Sequence, residues 1–129
     1  MLVVPVCGRR PIVGWHAAGV LLVCRFVVPT ADAEAFRARA ERALRLLTTA
    51  AGCRGAELGR AIDDPQRWVL TARFDSVPAY RRALSPFEAR EHVAPFLSEA
   101  LSDEPATYET LLDATAGAVH PHPTLLTDR

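Results

Sequence analysis

The sequence first excludes several classes of protein through what it lacks. It contains no lysine, so all 15 basic residues are arginines, and 15 acidic residues balance them to a formal net charge of zero. A chain without net charge offers no electrostatic attraction to nucleic acid or to an anionic membrane surface, and we expect neither as a partner. The exclusive use of arginine, together with abundant alanine, indicates GC-rich coding, which is a genomic bias and not a functional signal.

Cysteine is also scarce. Cys7, Cys24 and Cys53 are odd in number and do not have the spacing of metal ligands, so we expect no metal site. Cys24 lies in an apolar segment and Cys53 at a helix exit, which predicts small side chains that are buried or half-buried. This usage favours a reducing compartment, and we expect a cytoplasmic protein.

Long apolar runs are missing as well. No stretch reaches the roughly 18 residues that a membrane span requires. The first 19 residues do not resemble a signal peptide, because Arg9, Arg10 and Pro11 interrupt their apolar run. We interpret residues 1–19 as an N-terminal extension that is partly disordered or precedes the native start, and we expect Trp15 and His16 to have no chemical role.

The clearest pattern is the segment Trp68–Tyr80, in which a strand leads directly into a helix. Its even positions as far as Phe74 are apolar, whereas its odd positions are mixed, which predicts a strand with one dry face. Ser76 and Pro78 then supply an N-cap and a first-turn proline. The segment Val20–Val28 has the same two-faced character, so we expect the two strands to lie side by side.

The other elements follow from periodicity and from Gly and Pro positions. We predict a helix from Thr30 or Asp32 to about Ala51 and a second helix at Ser76–Leu84, followed by a helical stripe over Val93–Leu101. We also predict a strand at Gly55–Ile62, with Ala56, Leu58 and Ile62 on one side, and a last strand at Ala106–Leu112. Gly52 should end the first helix, and Pro95 should open or kink the last one and leave Phe87–His92 irregular. Residues 113–129 carry no core pattern and are predicted to form a flexible tail.

This order of elements, β-α-β-β-α(α)-β, is that of an α+β ferredoxin-like sandwich with a four-stranded antiparallel sheet, here formed by residues 20–112. Helices can cover only one face of that sheet, yet Leu21, Val23, Val27 and Val69 make the other face substantially apolar. We therefore predict a homodimer whose sheets pack face to face. Its polar content would be Arg25, Thr71 and Arg73, with the two arginines either paired to Glu57, Asp75 or Glu109 or contacting a ligand.

Four segments of residues 20–112 carry a resemblance to a known family. They read LLVCRFVVP, AAGC, DDPQRWVLTARFDSVPAYRRAL and PFLSEALSDEPATYETL. The chain resembles the antibiotic biosynthesis monooxygenase family, in its small actinobacterial type, whose members are dimeric α+β barrels. The resemblance is spread along the chain and does not depend on one short motif, so it speaks more to the fold than to the reaction.

The resemblance implies a cofactor-independent monooxygenase that acts on a hydrophobic aromatic polyketide-like or quinol small molecule. The deprotonated substrate itself reduces dioxygen, so the protein need supply only an apolar cavity, a proton acceptor and hydrogen bonds to the developing charge. Tyr80 and His92 are the candidate catalytic residues in a cavity between sheet and helices. The residues expected to line that cavity are Cys24, Phe26, Phe36, Trp68, Phe74 and Phe96.

Two other functions stay open. A non-catalytic dimer, binding a small molecule or purely structural, is consistent with the lack of a dense group of acid, base and orienting residues. The haem-degrading branch of the same superfamily places a haem-ligating histidine after the second helix, close to the position of His92. This chain departs from that branch, because it has Cys24 or Arg25 in place of an asparagine and Phe74 in place of a tryptophan.

Overall fold

The structure is a computed structural model that describes residues 19–126. Predictions about Cys7, Trp15, His16 and the rest of residues 1–18 lie outside the described residues. The described part is an α+β ferredoxin-like fold, as the order of elements predicted.

Four strands form the main sheet. They are β1 (Val20–Val27), β2 (Cys53–Arg60), β3 (Arg67–Phe74) and β4 (Thr107–Glu109), and they pair antiparallel in the order β2-β3-β1-β4. The register between β1 and β3 runs from Val20 opposite Phe74 to Val27 opposite Arg67. The side-by-side placement of these two strands and the β2–β3 hairpin are therefore confirmed.

Helices cover one face of this sheet. A 3₁₀ turn at Thr30–Asp32 leads into α1 (Ala33–Thr48), and α2 (Val77–Ala83), α3 (Phe87–His92) and α4 (Ala94–Leu97) follow β3. The predicted N-cap of α2 is confirmed, because the Ser76 hydroxyl oxygen accepts a hydrogen bond from the Ala79 N–H at 3.1 Å. Among residues 19–126, no helix combines the length and the apolar character needed to cross a bilayer.

The core lies between that helical layer and the dry sheet face. On β1 and β3 every even-numbered residue is buried, as the alternation predicted, and α1 contributes a stripe at helical spacing. The largest completely buried side chains are Phe26, Phe74, Leu22, Leu47, Leu70 and Val93. Cys24 is buried and Cys53 half-buried, both as free thiols, in agreement with the sequence prediction.

Two predicted boundaries need correction. Helix α1 ends at Thr48 and not near Ala51. In its last turn the hydroxyls of Thr48 and Thr49 donate hydrogen bonds to the carbonyls of Leu44 and Leu46, respectively. Strand β2 ends at Arg60, and Ile62 is fully exposed instead of sharing a face with Ala56 and Leu58. The last backbone hydrogen bond between the two strands of the hairpin runs from the Ala61 N–H to the Arg67 carbonyl, so Ile62 already belongs to the turn.

The expectation of irregular backbone between Phe87 and His92 was wrong, because these residues form α3. Pro86 occupies the N-cap, where its missing N–H costs no helical hydrogen bond, and Ala89 packs its small side chain into the core. The role of Pro95 was predicted correctly: α3 stops at His92 and Pro95 sits in the first turn of α4.

The C-terminal part also differs from the prediction. Strand β4 stops at Glu109, and the chain then forms a separate hairpin of β5 (Leu112–Thr115) and β6 (Ala118–Pro121). Its two turn residues, Ala116 and Gly117, both have positive φ, as a type I′ turn requires. Sequence periodicity did not reveal this hairpin because all its strand residues are exposed. The flexibility of residues 113–129 stays a prediction.

We expect Gly52→Ala to destabilise the fold by about 1–3 kcal/mol. Gly52 has φ of 91°, and a Cβ there would lie 2.7 Å from the Cβ of Ala79 on α2. The matched control is Gly59→Ala, whose Cβ would meet Val69 at an ordinary 3.6 Å. Urea unfolding of the three proteins measures the difference, and equal midpoints for Gly52→Ala and the wild type would contradict this account.

Candidate functional site

Four of the residues predicted to line a substrate cavity form one aromatic cluster. The ring centroids of Phe26 on β1, Phe36 on α1 and Phe96 on α4 lie 5.0–5.1 Å from one another, and Trp68 lies 5.3 Å from Phe36. These are contact distances for aromatic pairs. The structure thus brings the predicted residues together, but their rings fill the space between them.

The other two predicted cavity residues, Cys24 and Phe74, are also buried in the core. Burial raises the pKa of the Cys24 thiol to about 11, so the thiol stays protonated at neutral pH and is a poor nucleophile. The Phe74 ring packs edge-on against Tyr80, with 5.3 Å between centroids. This contact connects the core to the one open cleft that Tyr80 lines.

That opening, which we call the Tyr80 cleft, has a volume of about 320 Å³. Helix α2 forms one side through Val77, Tyr80 and Arg81, the residues of β4 form the sheet side, and Leu125 and Leu126 form the outer side. Its size falls at the lower end of the range for small-molecule sites. The cleft therefore combines Tyr80, Arg81 and the Glu109 carboxylate with apolar surface from Val20, Val77, Leu125 and Leu126.

The Tyr80 hydroxyl is available to a ligand. It makes no hydrogen bond to any group within residues 19–126. Burial raises the pKa of Tyr80, with a smaller contribution from nearby Cys24, so the phenol is protonated at neutral pH. Tyr80 can thus donate a hydrogen bond to an oxygen atom, but it is not a general base. The neighbouring Arg81 is exposed and forms no ion pair within the described part of the chain.

His92, the second candidate catalytic residue, has a different environment. Its Nδ1 lies 3.0 Å from Nη1 of Arg42 on α1. A guanidinium group can only donate, so Nδ1 accepts this bond and the ring proton of the neutral histidine is on Nε2. His92 does not line the Tyr80 cleft. The structure therefore does not bring Tyr80 and His92 together in one cleft.

Trp68 marks a second place where a ligand could bind. Its indole nitrogen is buried and has no hydrogen-bond partner in the part of the chain that the structure describes, which costs about 1–3 kcal/mol for such a group. The side chain borders two openings of about 240 and 580 Å³, and the guanidinium of Arg60 lies 5.0 Å from its ring centre. Arg37 lines the larger opening too, and sequence reasoning had not identified either arginine.

The predicted interface residues lie on the open face of the sheet. Arg25, Thr71 and Arg73 point away from the helices. Arg73 and Thr71 lie opposite the partly buried Leu21 and Val23, and Arg25 lies opposite Val69. Within the chain, Arg25 pairs with Glu104 at 2.8 Å and not with Glu57, Asp75 or Glu109.

Two of the three carboxylates that were predicted to pair with these arginines, Asp75 and Glu109, bind other groups. Asp75 pairs with Arg54 at 3.5 Å, and the carboxylate of Glu109 binds Thr124 and Leu125. Pairs across a dimer interface stay a prediction.

The histidines near the C-terminus bind a carboxylate. Asp113 lies 3.1 Å from Nδ1 of His120 and 2.6 Å from Nε2 of His122. Partial burial alone would raise the pKa of Asp113, but the hydrogen bonds from His122 and His120 outweigh it and lower the pKa. Within residues 19–126, no group of three or more His, Cys, Asp or Glu residues is arranged to hold a metal ion.

Comparison with solved structures finds proteins of similar fold. SnoaB of Streptomyces nogalater, a cofactor-independent oxygenase, is 27% identical with a TM-score of 0.60, and the match covers 78% of this chain and 98% of SnoaB. Rv0793 of Mycobacterium tuberculosis is 21% identical with a TM-score of 0.59, over 78% of this chain and 100% of Rv0793.

A conserved protein of Methanosarcina mazei is 14% identical with a TM-score of 0.59, over 72% of this chain and 91% of that protein. At these two lower identities the likeness shows the fold alone. No curated protein shows significant sequence similarity to this chain.

The family comparison identifies the class of the protein. The family model for antibiotic biosynthesis monooxygenases matches residues 19–94, which is more than half of the chain. The matched region includes β1, α1, the β2–β3 hairpin, α2 and α3. The chain belongs to the antibiotic biosynthesis monooxygenase family, as the sequence resemblance indicated.

The raised pKa of Cys24 predicts an alkaline loss of stability. Because the thiol pKa rises from an ordinary value of 9.0 to about 11, the unfolded chain releases this proton at lower pH than the folded chain. The stabilisation is fully present below pH 9 and is lost as pH rises towards 11. Urea unfolding at several pH values should show that the free energy of unfolding falls less steeply between pH 9 and 11 for Cys24→Ala than for the wild type. Identical slopes would contradict the burial-driven shift.

Proposed function

We propose that the protein is a cofactor-independent monooxygenase that acts on a hydrophobic aromatic polyketide-like or quinol small molecule. Family membership and the similarity to SnoaB support this class of reaction. The observation that carries the proposal is the Tyr80 cleft, which is lined both by Arg81 and by a protonated phenol without a hydrogen-bond partner among residues 19–126. No external cofactor is part of the proposed reaction.

These two groups suit an anionic substrate. The positive charge of Arg81 would lower the pKa of an acidic phenol or methylene compound, and the Tyr80 hydroxyl would donate a hydrogen bond to the resulting oxyanion. The protonated Tyr80 cannot accept the substrate proton, and Nδ1 of His92 is occupied by Arg42. The proton would therefore leave to solvent, and the catalytic role of Tyr80 is that of a hydrogen-bond donor.

The reaction balances without another reductant. For an anthrone-like methylene group, R₂CH₂ + O₂ gives R₂C=O + H₂O. The carbanion transfers one electron to dioxygen, the two radicals combine to form a C–O bond, and the peroxide takes up a proton. Loss of the second C–H proton then cleaves the O–O bond and releases water. All four electrons come from the substrate, so the protein has only to bind and stabilise the anion.

We expect Tyr80→Phe to lower kcat/KM for oxidation of 1,8-dihydroxy-9-anthrone by about tenfold to a hundredfold, because one hydrogen bond to the anion is lost. Oxygen uptake with an electrode measures the rate. The control is Tyr108→Phe, since Tyr108 lines the same cleft but its hydroxyl donates to the Pro105 carbonyl at 2.8 Å. Equal losses in both variants, or no oxygen uptake by the wild type, would count against the proposal.

A homodimer through the open sheet face is part of the same proposal. Leu21, Val23 and Val69 on this face are only partly buried within one chain, and packing a second sheet on them would remove apolar area from water. Arg25, Thr71 and Arg73 would contribute polar contacts across the interface.

Light scattering coupled to size-exclusion chromatography tests the dimer. We expect the mass of two chains for the wild type and of one chain for Val23→Arg, because a buried unpaired charge is costly. Val119→Arg is the control, since Val119 is exposed on the β5–β6 hairpin and should leave the dimer intact. A wild-type protein with the mass of one chain would contradict the dimer.

The filled aromatic cluster favours a second candidate, a dimer that binds a small molecule without turnover. The rings of Phe26, Phe36 and Phe96 are in contact, so a substrate enters only the open clefts outside them. Ligand-dependent thermal stabilisation without oxygen uptake would identify this function. We do not extend the proposal to haem degradation, because Arg42 binds His92. The cytoplasmic location stays a prediction.

A further inference from the structure

The outer side of the Tyr80 cleft comes from a segment far along the chain. The β5–β6 hairpin returns the chain to the end of β4, where the His122 N–H donates to the Leu111 carbonyl at 2.9 Å. Residues 122–126, which we call the C-terminal strap, then run beside β4, and Leu125 and Leu126 border the cleft. The strap is thus part of the cleft wall, although it lies outside residues 19–94, which the family model matches.

One carboxylate holds the strap in place. Glu109, the last residue of β4, accepts hydrogen bonds from the Thr124 hydroxyl at 2.9 Å and from the Leu125 N–H at 2.6 Å. The Thr124 oxygen in turn accepts the Leu126 N–H at 3.0 Å. The positions of Thr124 and Leu125 therefore depend directly on the Glu109 side chain, and that of Leu126 depends on it through Thr124.

The two strap leucines leave apolar surface at the cleft mouth. Leu125 is 55% exposed and Leu126 is 71% exposed, although both border the same opening as Val20 and Val77. A flat apolar molecule in the cleft would cover part of this surface and gain free energy in proportion to the area removed from water. Glu109 keeps its negative charge, but its carboxylate oxygens are hydrogen-bonded to the strap. The guanidinium of Arg81 forms no ion pair within residues 19–126 and is the group that would attract an anionic oxygen of the ligand.

We propose that the C-terminal strap, latched by Glu109, is the specificity-determining wall of the Tyr80 cleft. It selects flat, apolar ring systems that carry an acidic oxygen, with the rings against Leu125 and Leu126 and the oxygen towards Tyr80 and Arg81. This inference rests on the proposed location of the substrate site, but not on turnover.

Binding of 1,8-dihydroxyanthraquinone, which has no oxidisable methylene group, tests the wall by isothermal titration calorimetry with the full chain. We expect the Leu125→Ser, Leu126→Ser double variant to raise Kd at least about tenfold, equivalent to about 1.4 kcal/mol. Leu112→Ser is the matched control, because Leu112 is 66% exposed on the hairpin but does not line the cleft. Its Kd should stay within about twofold of the wild type.

The latch is tested with two variants of Glu109. Glu109→Ala should raise Kd and speed hydrogen exchange at the Leu125 amide, because the amide loses its acceptor. Glu109→Gln should restore both, since its side-chain oxygen can accept the Leu125 N–H and the Thr124 hydroxyl can accept from its amide group. Slow exchange in Glu109→Ala would overturn the latch.

The outcomes separate this inference from the proposed reaction. Unchanged or tighter binding by the double leucine variant, together with weaker binding by Tyr80→Phe, would overturn the strap as a wall and leave the site intact. Wild-type binding that is insensitive to Tyr80→Phe, or no binding at all, would overturn both the strap and the site. Binding that depends on the strap without oxygen uptake from the anthrone would contradict the reaction alone.

Discussion

The fold depends on the pairing of β1 with β3. Eight residue pairs between Val20–Phe74 and Val27–Arg67 fix which side chains of both strands face the helices. Because side chains alternate along a strand, a shift of one residue would expose the whole buried set. Helix α1 packs Phe36, Ala40, Ala43 and Leu47 on the face that this register creates, and no polar or charged residue is buried in the described part of the chain.

The same register determines which side chains face the helices and which lie on the open face of the sheet. On the helical side, the Phe26, Phe36 and Phe96 rings fill the space at one end of β1, whereas at the Val20 end the short α2 and the short β4 leave the Tyr80 cleft open. On the other side, the odd-numbered residues of β1 and β3 form a partly apolar face without helices. The proposed ligand site and the proposed dimer surface therefore both depend on one strand pairing.

Sequence reasoning recovered the elements that contribute regular patterns to the core. The alternation in β1 and β3, the helical stripe of α1 and the Ser76 cap all depend on local spacing, and all are present. The β5–β6 hairpin was missed because its exposed strands leave no apolar period. The bond between His92 and Arg42 and the latch between Glu109 and Leu125 join residues distant in sequence, so no local pattern could reveal them.

The position of a bound ligand tests the central claim most directly. A crystal structure of the full chain with 1,8-dihydroxyanthraquinone should show the ring system between α2 and the strap, with one ligand oxygen within hydrogen-bond distance of the Tyr80 hydroxyl. Trp68, whose indole N–H has no partner within residues 19–126, is the competing position. Ligand density beside Trp68 and an empty Tyr80 cleft would contradict the account.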